Sequence, residues 1–229
     1  MIKENVARVK DQVVAICRRL GRNPSEITII GVTKYADPPQ VAEAISAGIA
    51  IIGENRVQEA EWKFPVLDTL VSGVRKHLIG HLQTNKVKQA LKYFDLIQSV
   101  DSLKLALEIE KQCDKLNRGM DILVQVSTSG EEQKFGVEHL QATLLVEEIA
   151  NLPHIFIKGL MTMAPLTEDK QVVRKTFADL RILRDQIKEK FPNSEKVQMK
   201  YLSMGMSSDY EIALEEGSNM VRIGSAIFK

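Results

Sequence analysis

Lys34 closes a run of β-branched and apolar residues, Ile27-Thr28-Ile29-Ile30-Gly31-Val32-Thr33, and Asp37-Pro38-Pro39 breaks the chain three residues later. Such a run reads as a buried strand that delivers one lysine to the rim of a sheet or barrel. A lysine held there is partly desolvated, which disfavours the ammonium and favours the nucleophilic amine. The plain alternative is a solvated lysine just past a strand end. Other polar residues fall where other apolar runs stop: Glu54-Asn55, Gly80-His81, Ser99, Ser127, Met161-Thr162-Met163, Ser203-Met204-Gly205 and Arg222-Ile223-Gly224-Ser225. Gathered at one mouth, they supply a lone lysine, several hydroxyls and amides, and an arginine. They do not supply the carboxylate pair of a glycosidase. Nor do they supply a His/Asp/Glu set spaced for a metal, or the nucleophile and oriented base of a hydrolase.

Two stretches suit an anion. Leu202-Ser203-Met204-Gly205-Met206-Ser207-Ser208-Asp209 carries a glycine, three hydroxyls and a helix start, where free backbone N–H groups favour negative charge. Gly224-Ser225 adds a close-approaching backbone and another hydroxyl. Barrels often bind phosphate between the loops after strands seven and eight. For Ser207 or Ser208 alone, a simple helix cap is the alternative. An imine-forming lysine opposite a phosphate cradle suits either pyridoxal 5′-phosphate or a phosphorylated sugar in a Schiff-base aldolase. Arg222, if it points inward, donates to a pyridine nitrogen. A guanidinium keeps its proton, so the ring nitrogen stays unprotonated and the ring is a weaker electron sink. A surface ion pair is the alternative for Arg222.

The elements that position these residues follow from apolar spacing. Ile2, Val6, Val9, Val13, Ile16 and Leu20 form one helical stripe, ended by Gly21. Short apolar runs at residues 27–32, 49–52, 77–80, 96–97, 121–126, 155–160, 201–203 and 220–223 read as eight strands. Helical patterns separate them: Val41 to Ile45 stopped by Gly48, residues 57–70 with Pro65 as a kink or split, 85–94, and 102–117 with Asp101 as N-cap. The later helices are marked by Leu140, Leu144, Leu145 and Ile149, by Val173, Phe177, Leu180, Leu183 and Ile187, and by residues 209–216 before Gly217. The strands are too apolar to alternate, as buried parallel strands are. Eight βα units in this length give an α/β fold, a (β/α)8 TIM barrel with an additional N-terminal helix. A doubly wound open sheet is the runner-up. No linker or repeat divides the chain, so residues 1–229 read as a single domain.

Composition excludes several classes. The 229 residues are 44% hydrophobic and 27% charged, and 31 Lys+Arg against 30 Asp+Glu leave a net charge of +1. That balance gives no support to a nucleic-acid or anionic-membrane partner. No apolar run is long enough to span a bilayer, and the N-terminus shows no signal core. Cys17 and Cys113 have neither metal spacing nor a disulfide pattern. A reduced, cytoplasmic protein is the expectation.

Seven stretches in one order carry a resemblance. They are Gly31-Val32-Thr33-Lys34, Ile52-Gly53-Glu54-Asn55-Arg56-Val57-Gln58-Glu59, His77-Leu78-Ile79-Gly80-His81-Leu82-Gln83-Thr84-Asn85-Lys86, Lys134-Phe135-Gly136, Gly159-Leu160-Met161-Thr162, residues 202–209, and Val221-Arg222-Ile223-Gly224-Ser225-Ala226-Ile227-Phe228. Nearly end to end, the chain resembles the pyridoxal phosphate homeostasis proteins, relatives of the alanine racemase barrel domain. The resemblance implies a pyridoxal 5′-phosphate-binding protein of vitamin B6 homeostasis. It would hold the cofactor as a Schiff base on Lys34, with no established turnover. By position, Ser203, Met204, Gly224 and Ser225 would hold the phosphate and Arg222 would face the pyridine nitrogen; Asn55 joins this cofactor-binding set. A monomer that serves cofactor-acceptor enzymes is the implied state. Departures are small: Ile52 and Leu78 stand where the family often has phenylalanine, and Tyr35 where many members have a small polar residue.

A racemase-like enzyme is the alternative function. Racemisation needs an acid/base on each face of the substrate α-carbon. Lys34 serves one face; in alanine racemase the other base is a tyrosine from a second domain, which is not expected here. Tyr35, Tyr201 and Tyr210 are the substitutes, with nothing in the sequence to orient them. His77 and His81 read as structural, Lys86, Lys88 and Lys92 as a solvated helix face, and Glu54 as the partner of a nearby base.

Overall fold

The computed structural model describes residues 1–127 and 135–229. Lys134, singled out above, lies outside the described residues. Helix α1 (Ile2–Arg19) comes first and buries Ile2, Val6, Val9, Val13, Ile16 and Cys17 along one stripe. Gly21 follows its C-cap at φ 66°, a left-handed turn that glycine takes at no steric cost. Then come β1 (Thr28–Val32), α2 (Pro38–Ser46), β2 (Ile51–Glu54), α3 (Val57–Leu70) and β3 (Arg75–Leu78). Next are α4 (Val87–Tyr93), β4 (Leu96–Val100), α5 (Leu103–Leu116), β5 (Met120–Ser127), the two-residue β6 (Val137–Glu138) and α6 (His139–Ala150). The chain finishes with β7 (Ile155–Met161), α7 (Lys170–Lys190), β8 (Val197–Met206), α8 (Tyr210–Glu215), β9 (Met220–Ile223) and α9 (Ser225–Phe228).

All the pairings are parallel. β1 pairs with both β2 and β9, and β4 with both β3 and β5, so eight strands close in the order β1-β2-β3-β4-β5-β7-β8-β9. This is the TIM barrel with an added N-terminal helix. β6 lies outside the closure and, among the described residues, pairs with the end of β5 alone. Alternation along the strands separates two apolar layers. Ile97, Leu160, Leu202, Val221 and Ile223 belong to the large core between barrel and helices, while Ile30, Leu96, Leu123, Met161 and Met220 form a small cluster inside the barrel. α1 packs on α2, α8 and α9, and Asn5 Nδ2 donates to Ile227 O at 2.9 Å, which ties the last turn of chain to the first helix.

Local chemistry sets the helix ends. Asp37 caps α2 through a capping box with Gln40, and Pro38 occupies the first turn, where its missing N–H costs nothing. Pro65 sits inside α3, which nonetheless runs as one helix from Val57 to Leu70 rather than splitting. The N-cap of α5 is Ser102, whose hydroxyl accepts from Leu105 N–H at 3.3 Å; Asp101, the expected cap, instead faces His81 with Oδ2 3.7 Å from Nδ1. Among the described residues, no helix is long and apolar enough to cross a membrane.

Candidate functional site

β1 stops at Val32, and Thr33 extends its ladder by donating N–H to Gly53 O at 3.0 Å. Ala36 N–H then closes a turn on Thr33 O, with Lys34 and Tyr35 exposed at its tip. Lys34 Nζ lies 5.0 Å from the Tyr35 ring centroid, within cation–π range. The expected desolvation of Lys34 is therefore corrected: the strand ends two residues before it, so the side chain leaves the barrel at the rim. The desolvated amine is Lys63, only 1% exposed. Its Nζ donates to Glu54 Oε1 at 2.5 Å and to Thr33 O at 2.6 Å, and Thr33 Oγ1 donates to the same Glu54 oxygen at 2.7 Å. Buried charges persist when paired and hydrogen-bonded in this way. Lys63 is thus the base that Glu54 pairs with, and it grips the carbonyl of the peptide bond that precedes Lys34.

A cavity of about 600 Å³ opens beside this turn at the C-terminal end of the strands, bounded by Lys34, Asn55, Arg222, Ser207, Gly224 and Ser225 among others. Asn55 follows β2 directly. Its Oδ1 is buried and has no hydrogen-bond partner among the described residues. Gly80 is needed against it, because a Cβ there would lie 2.2 Å from Asn55 O. On another wall, Ser207 Oγ accepts from Gly224 N–H at 3.3 Å and Ala226 N–H at 3.4 Å. Both bonds are long, so these amides remain able to take a stronger acceptor.

Arg222 borders the cavity although it is only 4% exposed. Its Nη1 donates to Ser203 Oγ at 2.7 Å and its Nη2 to Thr162 O at 2.8 Å. Among the described residues it has no ion-pair partner, so the surface-pair reading does not hold. Burial pushes its pKa down to about 10, opposed by the Asp209 carboxylate. A cation withdrawn from water without a paired anion is costly; the open side of the cavity is where a ligand acceptor would meet it.

The structure gathers Lys34, Asn55, Arg222, Gly224 and Ser225 around one cavity but leaves Ser203 and Met204 off its wall. β8 runs to Met206, three residues beyond the expected end at Ser203, so both residues are still in the strand. Ser203 points into the barrel, fully buried, and Met204 packs in the layer between barrel and helices. The hydroxyl residues of that loop that border the cavity are Ser207 and Ser208, two of the three in the stretch 202–209. Lys63 carried no sequence signal, since its pairing with Glu54 depends on how α3 lies against β2. His77 is buried, with Nδ1 3.0 Å from Gln98 Nε2; burial, aided by Arg75, pushes its pKa down to about 3. His81 stacks on Phe135 with centroids 4.0 Å apart.

A family profile described as "Alanine racemase, N-terminal domain" matches residues 5–229. The chain is 40% identical over 225 residues to the pyridoxal phosphate homeostasis protein of Aquifex aeolicus, covering 98% of this chain and 96% of that one. It is 35% identical over 229 residues to the protein of the same name from Escherichia coli K12, covering 99% and 95%. The chain belongs to the pyridoxal phosphate homeostasis protein family. PipY of Synechococcus elongatus PCC7942, solved with PLP bound, is 31% identical with a TM-score of 0.87 over the whole of both chains. A protein from Bifidobacterium adolescentis superposes with a TM-score of 0.94 at 35% identity, covering 99% of this chain and 94% of that one. Alanine racemase from Clostridium difficile 630 shares the fold at 17% identity and a TM-score of 0.74, with 56% of its own length covered.

Proposed function

We propose that this chain binds pyridoxal 5′-phosphate in the cavity and holds it as a Schiff base on Lys34, as a B6 homeostasis protein without turnover. The observation that carries the reading is Arg222, a buried cation with no ion pair among the described residues, facing a cavity whose rim bears an exposed lysine amine. PipY, a relative covering the whole chain, was solved with PLP bound. The polar groups fit the cofactor: an amine for the aldehyde, the orphaned acceptor Asn55 Oδ1 for a ring hydroxyl, and the Arg222 N–H donors for the pyridine nitrogen. When bound, the cofactor supplies an aldehyde that condenses with an amine and a ring that withdraws electrons. Lys34 presents the amine, and the Lys63–Glu54–Thr33 cluster fixes the turn that carries it. Ser207, Gly224 and Ser225 present hydroxyl and amide donors to the phosphate; Ser203 lies behind the cavity, hydrogen-bonded to Arg222. Arg222 stays protonated at neutral pH even with its pKa near 10, so it donates to the ring nitrogen and protonates nothing.

The racemase-like alternative needs a second acid/base. Of the three candidate tyrosines, Tyr201 packs against the small cluster inside the barrel and Tyr210 donates its hydroxyl to Gln12 Oε1 at 2.7 Å. Tyr35 borders the cavity but is 82% exposed at a turn tip. None is held as an acid/base must be, which supports a carrier over a racemase. The same reading makes residues 1–229 one domain, a cytoplasmic monomer that passes cofactor to acceptor enzymes and takes no nucleic acid. Adding pyridoxal 5′-phosphate to the purified chain should produce a visible absorption band and leave L-alanine optically unchanged. A colourless protein would contradict the binding, and loss of optical activity would contradict the absence of turnover.

A further inference from the structure

The hydrogen bonds behind Arg222 can run in one direction only. Arginine has five N–H donors and no acceptor, so Ser203 Oγ accepts from Nη1 at 2.7 Å. The serine hydrogen goes to Gln98 Oε1 at 2.6 Å, since among the described residues Ser203 Oγ has no other acceptor within reach. That fixes the amide, oxygen toward Ser203 and nitrogen toward His77 Nδ1 at 3.0 Å, with Met220 Sδ at 3.4 Å as a second contact. His77 Nδ1 accepts, so its proton sits on Nε2, which is buried without a partner among the described residues. The arginine sets the first assignment, the lack of another acceptor for the Ser203 hydrogen sets the second, and the amide then sets the histidine. The chain runs from β9 to neighbouring β8, crosses the barrel interior to β4, and ends on β3. All four residues are buried, and neither Gln98 nor His77 borders the cavity.

We infer that Gln98 and His77 are positioning residues for Arg222: a one-way donor chain across the barrel orients its guanidinium from the opposite wall. With Nη1 tied to Ser203 and Nη2 to Thr162, the plane of the guanidinium is set before any ligand arrives, and the cavity receives the remaining donors. Such preorganisation lowers the ordering cost of binding. Neutral His77, its pKa held near 3 by burial, keeps the far end an acceptor. The chain itself stands on geometry; only its effect on a ligand rests on the reading of the cavity as a pyridoxal 5′-phosphate site.

The test uses the full chain and two readouts. Nitrogen-15 NMR of the cofactor-free protein, with His77 assigned through the His77→Gln variant, should show a proton on Nε2 and an accepting Nδ1 throughout about pH 5–8. Ser203→Ala, which touches Gln98 but not His77, should shift the Nδ1 signal, as should Gln98→Leu. With pyridoxal 5′-phosphate added, Gln98→Leu should weaken apparent binding about tenfold, the loss of the one neutral hydrogen bond that holds the Ser203 hydroxyl against Arg222, and move the pH profile of the visible band. Gln98→Glu, which keeps the acceptor for Ser203, should recover binding to within about threefold. A proton on Nδ1, a His77 signal unmoved by Ser203→Ala, or wild-type binding and pH profile in Gln98→Leu would each overturn the inference. If Gln98→Leu fails to fold, the Ser203→Ala spectra decide it alone. If the NMR pattern holds but the wild-type chain takes up no cofactor, the donor chain stands and the cofactor reading falls.

Discussion

Replacing Lys63 by methionine isolates the cluster that holds the Lys34 turn. The side chain is 1% exposed, and its ammonium makes the bonds to Glu54 and to Thr33 O. Lys63→Met keeps most of the apolar volume but leaves the Glu54 carboxylate buried with only the Thr33 hydroxyl for a partner, and leaves Thr33 O without its ammonium donor. Breaking one side of a buried pair costs about 3–5 kcal/mol, because the other charge stays behind uncompensated. In a chain of 229 residues, each kcal/mol moves Tm by about 2–4 °C, so Tm should fall by about 6–20 °C. The double variant Glu54→Gln, Lys63→Met removes both charges and should recover at least half of that loss. Urea unfolding and calorimetry on the cofactor-free protein read both quantities. A loss under about 1 kcal/mol for Lys63→Met, or a double variant less stable than the single, would refute the claim that this ion pair anchors the turn.

Three other outcomes follow. Ser207→Ala with Ser225→Ala should weaken cofactor retention on dialysis, each lost bond to phosphate costing about 1.5–3 kcal/mol; unaltered retention would remove these residues from the phosphate site. Arg222→Glu should protonate the ring nitrogen of bound cofactor and shift the pH titration of the visible band, whereas an identical titration would mean that Arg222 does not touch the ring. His77 carries a pKa of about 3 against an ordinary 6.5, so the unfolded chain binds the extra proton in between and stability falls as pH drops through that window. The contribution is intact above pH 6.5 and should be down by about 2–3 kcal/mol at pH 4.5. Urea unfolding at pH 7 and 4.5 should show that extra loss in the wild type and not in His77→Gln; equal losses would contradict a neutral His77.

The barrel was legible because buried parallel strands are apolar on both faces and each is followed by a helix with one apolar stripe. Lys34 and Arg222 were legible for a related reason: a charged residue closing such a run has few places to go but the mouth or the interior. Strand ends were harder. β8 carries Ser203 inside the barrel, and a serine there looks the same in sequence as one in the loop beyond, so the sequence did not separate Ser203 from Ser207 and Ser208, which border the cavity. The cap of α5 went to Ser102 rather than Asp101 because adjacent residues of similar propensity are separated only by backbone geometry. Lys63, Gln98 and the burial of Arg222 without an ion pair among the described residues depend on packing between elements distant in the chain. Gln98 reaches Ser203 across 105 positions, and no local pattern carries that.

The most direct measurement is reductive trapping. The protein is loaded with pyridoxal 5′-phosphate, treated with borohydride, digested and mapped by mass spectrometry. The expected result is one cofactor-modified peptide, with the label on Lys34, and no such peptide from Lys34→Ala. A label on another lysine, or a wild-type chain that traps none, would contradict the account at its centre.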